Sequence, residues 1–260
     1  MTEKPVLWHI GVSHYSEKVR WALDWKGVEH ERHEPPPPAH MALALWWSKG
    51  DTKTFPVLEL DGERILDSTH IIGALEARWP EPPLYPEDPV ERRHALDLED
   101  YFDENLGPAV RLFGWHHLRR DKELLGKVTE ENLPEPLRGF GPARTGVTAF
   151  ASTFANLRFK VADPAAEEEA RAVIMECLDR LEEELSDGEH LVGDSFSVAD
   201  LTAAALMYPL VLPPEGPNAI GAVPETAKEF EAELRARSSY AWVGQTFAKY
   251  RKPVREPAAA

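Results

Sequence analysis

Four sets of side chains in this 260-residue chain could carry chemistry: a serine at a strand–helix junction, a lone thiol, a run of histidines and a serine–aspartate pair. Ser13 lies in "GVSHYSEKVRWALDWKG" (11–27), where many chains with such a segment place a reactive cysteine. Serine there is also a good helix cap that needs no ligand. Cys177 is the only cysteine, so a disulfide within the chain is excluded. In "ARAVIMECLDRLEEEL" helical spacing sets it with Val173, Ile174, Leu178 and Leu181 on an apolar stripe, the setting of a buried thiol. His30, His33 and His40, with Glu31 and Glu34, resemble a metal set only in one dimension. The period of a strand sends His30 and His33 to opposite faces, and His116 and His117 face apart on a helix, so no metal site is expected. In "GDSFSVADLTAAAL" Ser197 and Asp200 have capping-box spacing and Phe196 can staple onto Leu201. That pair starts a helix and is not read as catalytic.

The elements that must position these groups alternate at first. "VLWHIGV" (6–12) is short enough for a buried strand, and "SEKVRWALDWKG" follows as a helix with Val19, Ala22, Leu23 and the stem of Lys26 on one face and Gly27 as its stop. "VEHERHE" (28–34) reads as a second strand, Pro35 to Pro38 as an extended connection, and "AHMALALWW" (39–47) as a short helix. "PVLEL" and "ERIL" flank Asp61-Gly62, a tight hairpin signal. Ser68 then begins a helix in which Ile71, Ile72, Leu75 and Trp79 recur at helical spacing until Pro80. The order β-α-β-α-β-β-α predicts a four-stranded mixed sheet with helices on its faces, its first two strands parallel across a helical crossover.

Beyond residue 80 the pattern changes. Residues 81–91 are proline-rich, acidic and without a hydrophobic period, as a linker would be. Residues 92–255 show helical signals only, apart from 126–150, whose glycines and prolines predict a long loop or short helical pieces. Residues 256–260 are a tail. Acids outnumber bases 45 to 29, and with no basic patch a nucleic-acid partner is excluded. No apolar run approaches the roughly 20 residues of a membrane span, and the first residues lack a secretory pattern, so a cytoplasmic location is expected.

"SHYSEKVRWALDWKG", "TFPVLELDGERILDST" and "HLVGDSFSVADLTAAAL", in this order and at these distances, resemble the glutathione S-transferase superfamily. The resemblance covers nearly the whole chain. It implies an α/β plus all-α architecture, with a thioredoxin-like N-terminal domain (1–80) followed by an all-helical domain (92–255). It also implies glutathione as co-substrate, no metal, and a homodimer formed between the N-terminal half of one chain and the helical half of another.

Roles for individual residues follow from the same resemblance. Ser13 would stabilise the glutathione thiolate by donating a hydrogen bond near a helix N-terminus; the alternative is a plain cap. Phe55-Pro56 matches the cis-proline position whose preceding residue turns its backbone toward the cysteine of glutathione, although an ordinary trans strand-initiating proline is equally compatible with the sequence. Asp67-Ser68 matches the acid–serine pair that grips the γ-glutamyl end, or serves as a helix cap, or both. Lys53 could meet the glycyl carboxylate or be solvated, and His14 either contacts ligand or lies exposed. Serines at 13 and 16, where redox branches carry cysteines, disfavour disulfide chemistry. The electrophile would bind between the domains, with Phe102, Leu106, Val110, Phe113 and Trp115 as candidate contacts. A noncatalytic binding protein and a transferase for another low-molecular-weight thiol are the alternatives.

Overall fold

The computed structural model describes residues 4–36, 39–50, 54–131, 133, 135–185, 188–217 and 220–251. Its sheet has four strands, β1 (Val6–Trp8), β2 (Glu31–His33), β3 (Val57–Leu60) and β4 (Glu63–Leu66), in the order β2-β1-β3-β4. β1 pairs in parallel with β2, Leu7 opposite Arg32, and antiparallel with β3, Leu7 opposite Leu58. β3 and β4 form the expected hairpin, and Asp61 and Gly62 both take positive φ, 50° and 84°, as a two-residue primed turn requires. Helices α1 (His14–Trp25), α2 (Ala39–Trp47) and α3 (Ser68–Arg78) complete the thioredoxin-like domain.

α1 is buried almost all round, not along a single stripe. Val19, Ala22 and Leu23 join Leu7 and Leu58 of the sheet and Ile71, Ile72 and Leu75 of α3 in one core. Trp21 faces the helical domain, its ring 4.5 Å from that of Phe247 and 5.7 Å from that of Phe196. Each such side chain stabilises the fold by roughly 1.5–3 kcal/mol relative to exposure. The Lys26 stem lies where the periodicity puts it, and its ammonium reaches Glu76 Oε2 at 2.6 Å and the carbonyls of Trp79 and Pro82.

The helical domain contains α4 (Pro89–Tyr101), a π-helical turn (Phe102–Leu106), α5 (Gly107–Leu118), α6 (Lys122–Glu131), α7 (Gly141–Phe159), α8 (Pro164–Glu184), α9 (Val198–Val211), α10 (Lys228–Arg235) and α11 (Ser238–Tyr250). α9 is buried along nearly its whole length and starts at the capping box of Ser197 and Asp200. It packs against α1, and Tyr208 Oη donates to the Val12 carbonyl at 2.8 Å. No described helix is long and apolar enough to cross a membrane.

The structure sharpens the bounds of several expected elements. β2 is shorter than 28–34 because Val28 N–H bonds back to Leu23 and the His30 ring turns to the Val28 carbonyl. α4 begins inside the stretch read as linker, with Asp88 accepting from the N–H groups of Val90 and Glu91 and Pro89 in the first turn, where proline lacks no needed donor. The segment 126–150 is no long loop: it lies mostly in α6 and α7, a helical hairpin joined through a 3₁₀ turn (Glu135–Leu137). The final helical stretch breaks into α10 and α11, and Glu182 stabilises the break by accepting from Ser239 N–H and Oγ and pairing with Arg237.

Candidate functional site

Ser13 sits in extended backbone and caps α1, its Oγ accepting from Ser16 N–H at 3.3 Å. A hydroxyl has one donor beside its acceptor sites. Among the described residues the Ser13 O–H has no acceptor, so capping leaves its proton free for a ligand. Ser16 Oγ is turned inward and accepts from Ile10 N–H at 3.2 Å, which fixes the loop before Ser13.

Ser13 lies on the wall of a cavity of about 860 Å³ between the sheet domain and the helices. His14, Phe55, Pro56, Asp67 and Ser68 line the same cavity. The Phe55-Pro56 bond is cis. Asp67, not Ser68, is the cap of α3: its Oδ1 accepts from Thr69 N–H at 2.9 Å and from His70 N–H at 3.4 Å, and its backbone takes a φ of 74°. Ser68 is the buried first residue of that helix. Lys53 falls outside the described residues.

His14 is buried, which removes the exposed reading. Burial, reinforced by Arg111, pushes its pKa down to about 3, so it adds no charge to the site at neutral pH. Among the described residues its Nε2 has no hydrogen-bond partner. Tyr15, 4.7 Å away ring to ring, also lines the cavity, and its Oη donates to the Asp103 carbonyl at 2.8 Å. Burial raises the phenol well above its usual range and keeps it protonated. The contact requires glycine at 107, since a Cβ there would run into the Tyr15 phenol. One turn on, Lys18 is fully buried, 2.9 Å from Glu99 Oε1, 2.7 Å from Asp103 Oδ1 and 3.0 Å from Thr69 Oγ1. Burial alone would lower its pKa, but Glu99 and Asp103 outweigh it and hold the ammonium charged.

On the helical side Val110, Phe113 and Trp115 line the cavity, as expected of them. Phe102 and Leu106 do not: both are wholly buried in the core, because the π-helical turn carries them inward. Their place on the wall is taken by Arg111 of α5 and by Phe150, Phe154 and Phe159 of α7, none of which the sequence reading named. A lone charge amid "GPAVRLFGW" was the available signal for Arg111. For α7 the glycines and prolines hid the helix and with it the aromatic spacing.

The other chemistry-bearing residues are accounted for locally. Burial pushes the Cys177 thiol up to about 11, consistent with an inert core position. His30 accepts from Arg32 Nε, whereas the His33 ring stacks on Trp8. His117 meets Thr226 Oγ1 at 2.8 Å and Glu167 Oε1 at 3.1 Å.

Family comparison agrees with the two-part fold. "Glutathione S-transferase, N-terminal domain" matches residues 7–83 and "Glutathione S-transferase, C-terminal domain" matches residues 164–218. The chain is 27% identical over 208 residues to a "Probable maleylacetoacetate isomerase" of Caenorhabditis elegans, covering 79% of this chain and 78% of that protein. It is 26% identical over 228 residues to a "Probable glutathione S-transferase" of Nicotiana tabacum, covering 88% and 79%. A glutathione S-transferase of Methylobacterium radiotolerans, crystallised with glutathione sulfonate, shares the fold at a TM-score of 0.54 and 22% identity, with 99% of each chain covered.

Proposed function

Because the chain belongs to the glutathione S-transferase superfamily, we propose that Ser13 activates the thiol of glutathione and that the thiolate attacks a small hydrophobic electrophile in the cavity between the two domains. The observation that carries this reading is the Ser13 hydroxyl, satisfied as an acceptor yet free as a donor, at the N-terminus of α1 on the cavity wall. A free thiol titrates at about 8.5 and is mostly protonated at neutral pH. A hydrogen bond from Ser13 and the positive end of α1 both favour the charged form. The new bond forms between sulfur and the electrophilic carbon, and the leaving group departs with the displaced electron pair.

The peptide would lie along the N-terminal wall. Phe55 offers its backbone to the cysteine of glutathione, and the N-terminus of α3 with Ser68 receives the γ-glutamyl carboxylate. Asp67 uses Oδ1 to cap α3, which leaves Oδ2 for the ammonium. Lys53 is proposed for the glycyl carboxylate. The protein would act in the cytoplasm as a homodimer.

Titration calorimetry with glutathione, followed by conjugation to an activated aryl halide, tests the reading on wild type and Ser13→Ala. A hydrogen bond to a charged group is worth about 1.5–3 kcal/mol, so the variant should lose about 10- to 100-fold in kcat/KM near pH 6.5 while still binding glutathione. The deficit should shrink as pH passes the free thiol value. No binding at millimolar glutathione would overturn the cofactor assignment, and unchanged conjugation would reduce Ser13 to a cap.

A further inference from the structure

Arg111 lies on the apolar helical wall of the cavity between Val110 and Phe113, in direct reach of anything bound there. Its guanidinium carbon lies 4.3 Å from the centroid of the Phe159 ring and 5.6 Å from that of Tyr15. These rings hold the planar fork in place but neutralise no charge. Among the described residues the buried Nε has no hydrogen-bond partner and no carboxylate forms an ion pair with this arginine, in a chain with 45 acidic side chains. The acids that line the same cavity are engaged elsewhere: Asp103 with Lys18 at 2.7 Å, Glu231 with Arg235 at 2.6 Å, Glu34 with Gly11 N–H and Asp67 with the first turn of α3. Arg158 adds a second positive charge nearby, and His14 is neutral. A partly buried cation whose nearest acid, Asp103, is already paired with Lys18 and makes no ion pair with it is costly to the fold, and packing alone is satisfied by a leucine or methionine.

We propose that Arg111 receives an anionic group on the electrophile, a carboxylate, so that the preferred substrates are activated aryl or alkenyl acids and not neutral electrophiles. The inference rests on the thiolate reading above for its chemistry, but the anion site itself does not depend on glutathione. The carboxylate meets the in-plane N–H groups of the fork, the ring or alkene lies along Phe150 and Phe154, and the reactive carbon points across the cavity toward Ser13. With an aryl chloride the sulfur–carbon bond forms, the carbon–chlorine bond breaks, chloride leaves with the bonding pair, and the carboxylate is unchanged.

The test compares 4-chloro-3-nitrobenzoate with 4-chloro-3-nitrobenzamide, each rate divided by its uncatalysed reaction with glutathione. Arg111→Gln should lower the acid-to-amide ratio of kcat/KM by about tenfold or more, chiefly through KM, and Arg111→Lys should restore part of it. An unchanged ratio, or an equal loss on both substrates, overturns the proposal; the equal loss would assign Arg111 to glutathione or to the fold. If the protein conjugates neither compound, the ratio of dissociation constants for 3-nitrobenzoate and 3-nitrobenzamide is measured by tryptophan quenching without glutathione. A ratio about tenfold less favourable to the acid in Arg111→Gln supports the anion site even then. The same ratio in wild type and variant removes it, whatever glutathione calorimetry shows.

Discussion

Ser13 combines a structural and a chemical role on different parts of one hydroxyl, and its two roles separate by substitution. Ser13→Ala removes both the cap and the donor, so about 1 kcal/mol of stability should be lost along with the rate. Ser13→Gly keeps most of the capping benefit, costing only a few tenths of a kcal/mol, but lacks the donor just as alanine does. Urea denaturation should therefore rank glycine above alanine while conjugation kinetics place the two together; a glycine variant with near wild-type activity would count against the donor. Neighbouring His9 and His14 behave differently from surface histidines. Arg20 NH1 points at His9 Nδ1 at 3.0 Å, so that nitrogen accepts and carries no proton. Burial first, then Arg20, pushes His9 down to about 3. In the unfolded chain the same imidazole titrates near 6.5, so the unfolded state binds the extra proton as pH falls from about 6.5 toward 3, and stability is lost in that window. The unfolding free energy of wild type, from urea denaturation, should fall more steeply between pH 7 and 5 than that of His9→Gln, by up to about 1.4 kcal/mol per pH unit. Comparing the two proteins isolates His9 from Glu99 and Asp200, whose carboxyls are pushed up by burial and act in the opposite sense. Parallel pH profiles would contradict a buried neutral His9.

At the scale of elements, Lys18 pins α1 to α3, α4 and the π-helical turn at once, through Thr69, Glu99 and Asp103. Lys18→Met leaves Glu99 buried without its cation and should cost about 3–5 kcal/mol in urea denaturation, and adding Glu99→Gln should recover part of that loss. If the double variant is no better than the single, the cost is packing and not charge. Nothing near Lys18 in the sequence announces this, because its partner Asp103 lies 85 residues away. Local signals served better. Asp61-Gly62 made its hairpin, and Ser197 with Asp200 made its capping box, since each is decided within four residues. The same local logic cannot choose between a loop and short helices over 126–150. Gly141 and Pro142 read as helix breakers in sequence, but they occupy the first turn of α7, where proline is favoured, and Gly146 is carried inside the helix. With that helix unrecognised, Phe150, Phe154 and Phe159 could not be placed on the cavity wall.

Across the whole molecule, the two domains share a core through α1 and α9, and the chain's last described residue returns to α1. Which halves carried sheet and helices was legible from periodicity, and the N-terminal wall of the cavity from two short motifs, those around Ser13 and around Phe55 to Ser68. The helical wall was legible only in part, at Val110, Phe113 and Trp115 of α5, because the α7 aromatics join them only once α7 folds against α6. The same long-range closure governs stability. Arg251 is almost fully buried, with Nε 2.6 Å from Glu17 Oε1 and NH1 2.7 Å from Asp24 Oδ2, both on α1. Each carboxylate keeps a second guanidinium, Arg20 at 2.8 Å for Glu17 and Arg32 at 2.7 Å for Asp24, so losing Arg251 does not strand either charge. Arg251→Met should then cost about 3 kcal/mol, the low end for breaking a buried ion pair, and Arg251→Lys an intermediate amount, because one ammonium lacks the fork that spans two carboxylates. Tryptophan fluorescence and far-ultraviolet circular dichroism should report the same shifted midpoint, since α1 cannot loosen without exposing Trp21 to both domains' unfolding. Two separated transitions in the methionine variant would mean that the domains fold independently and that Arg251 only docks them. A midpoint unchanged from wild type would make Arg251 a passenger on a core already complete.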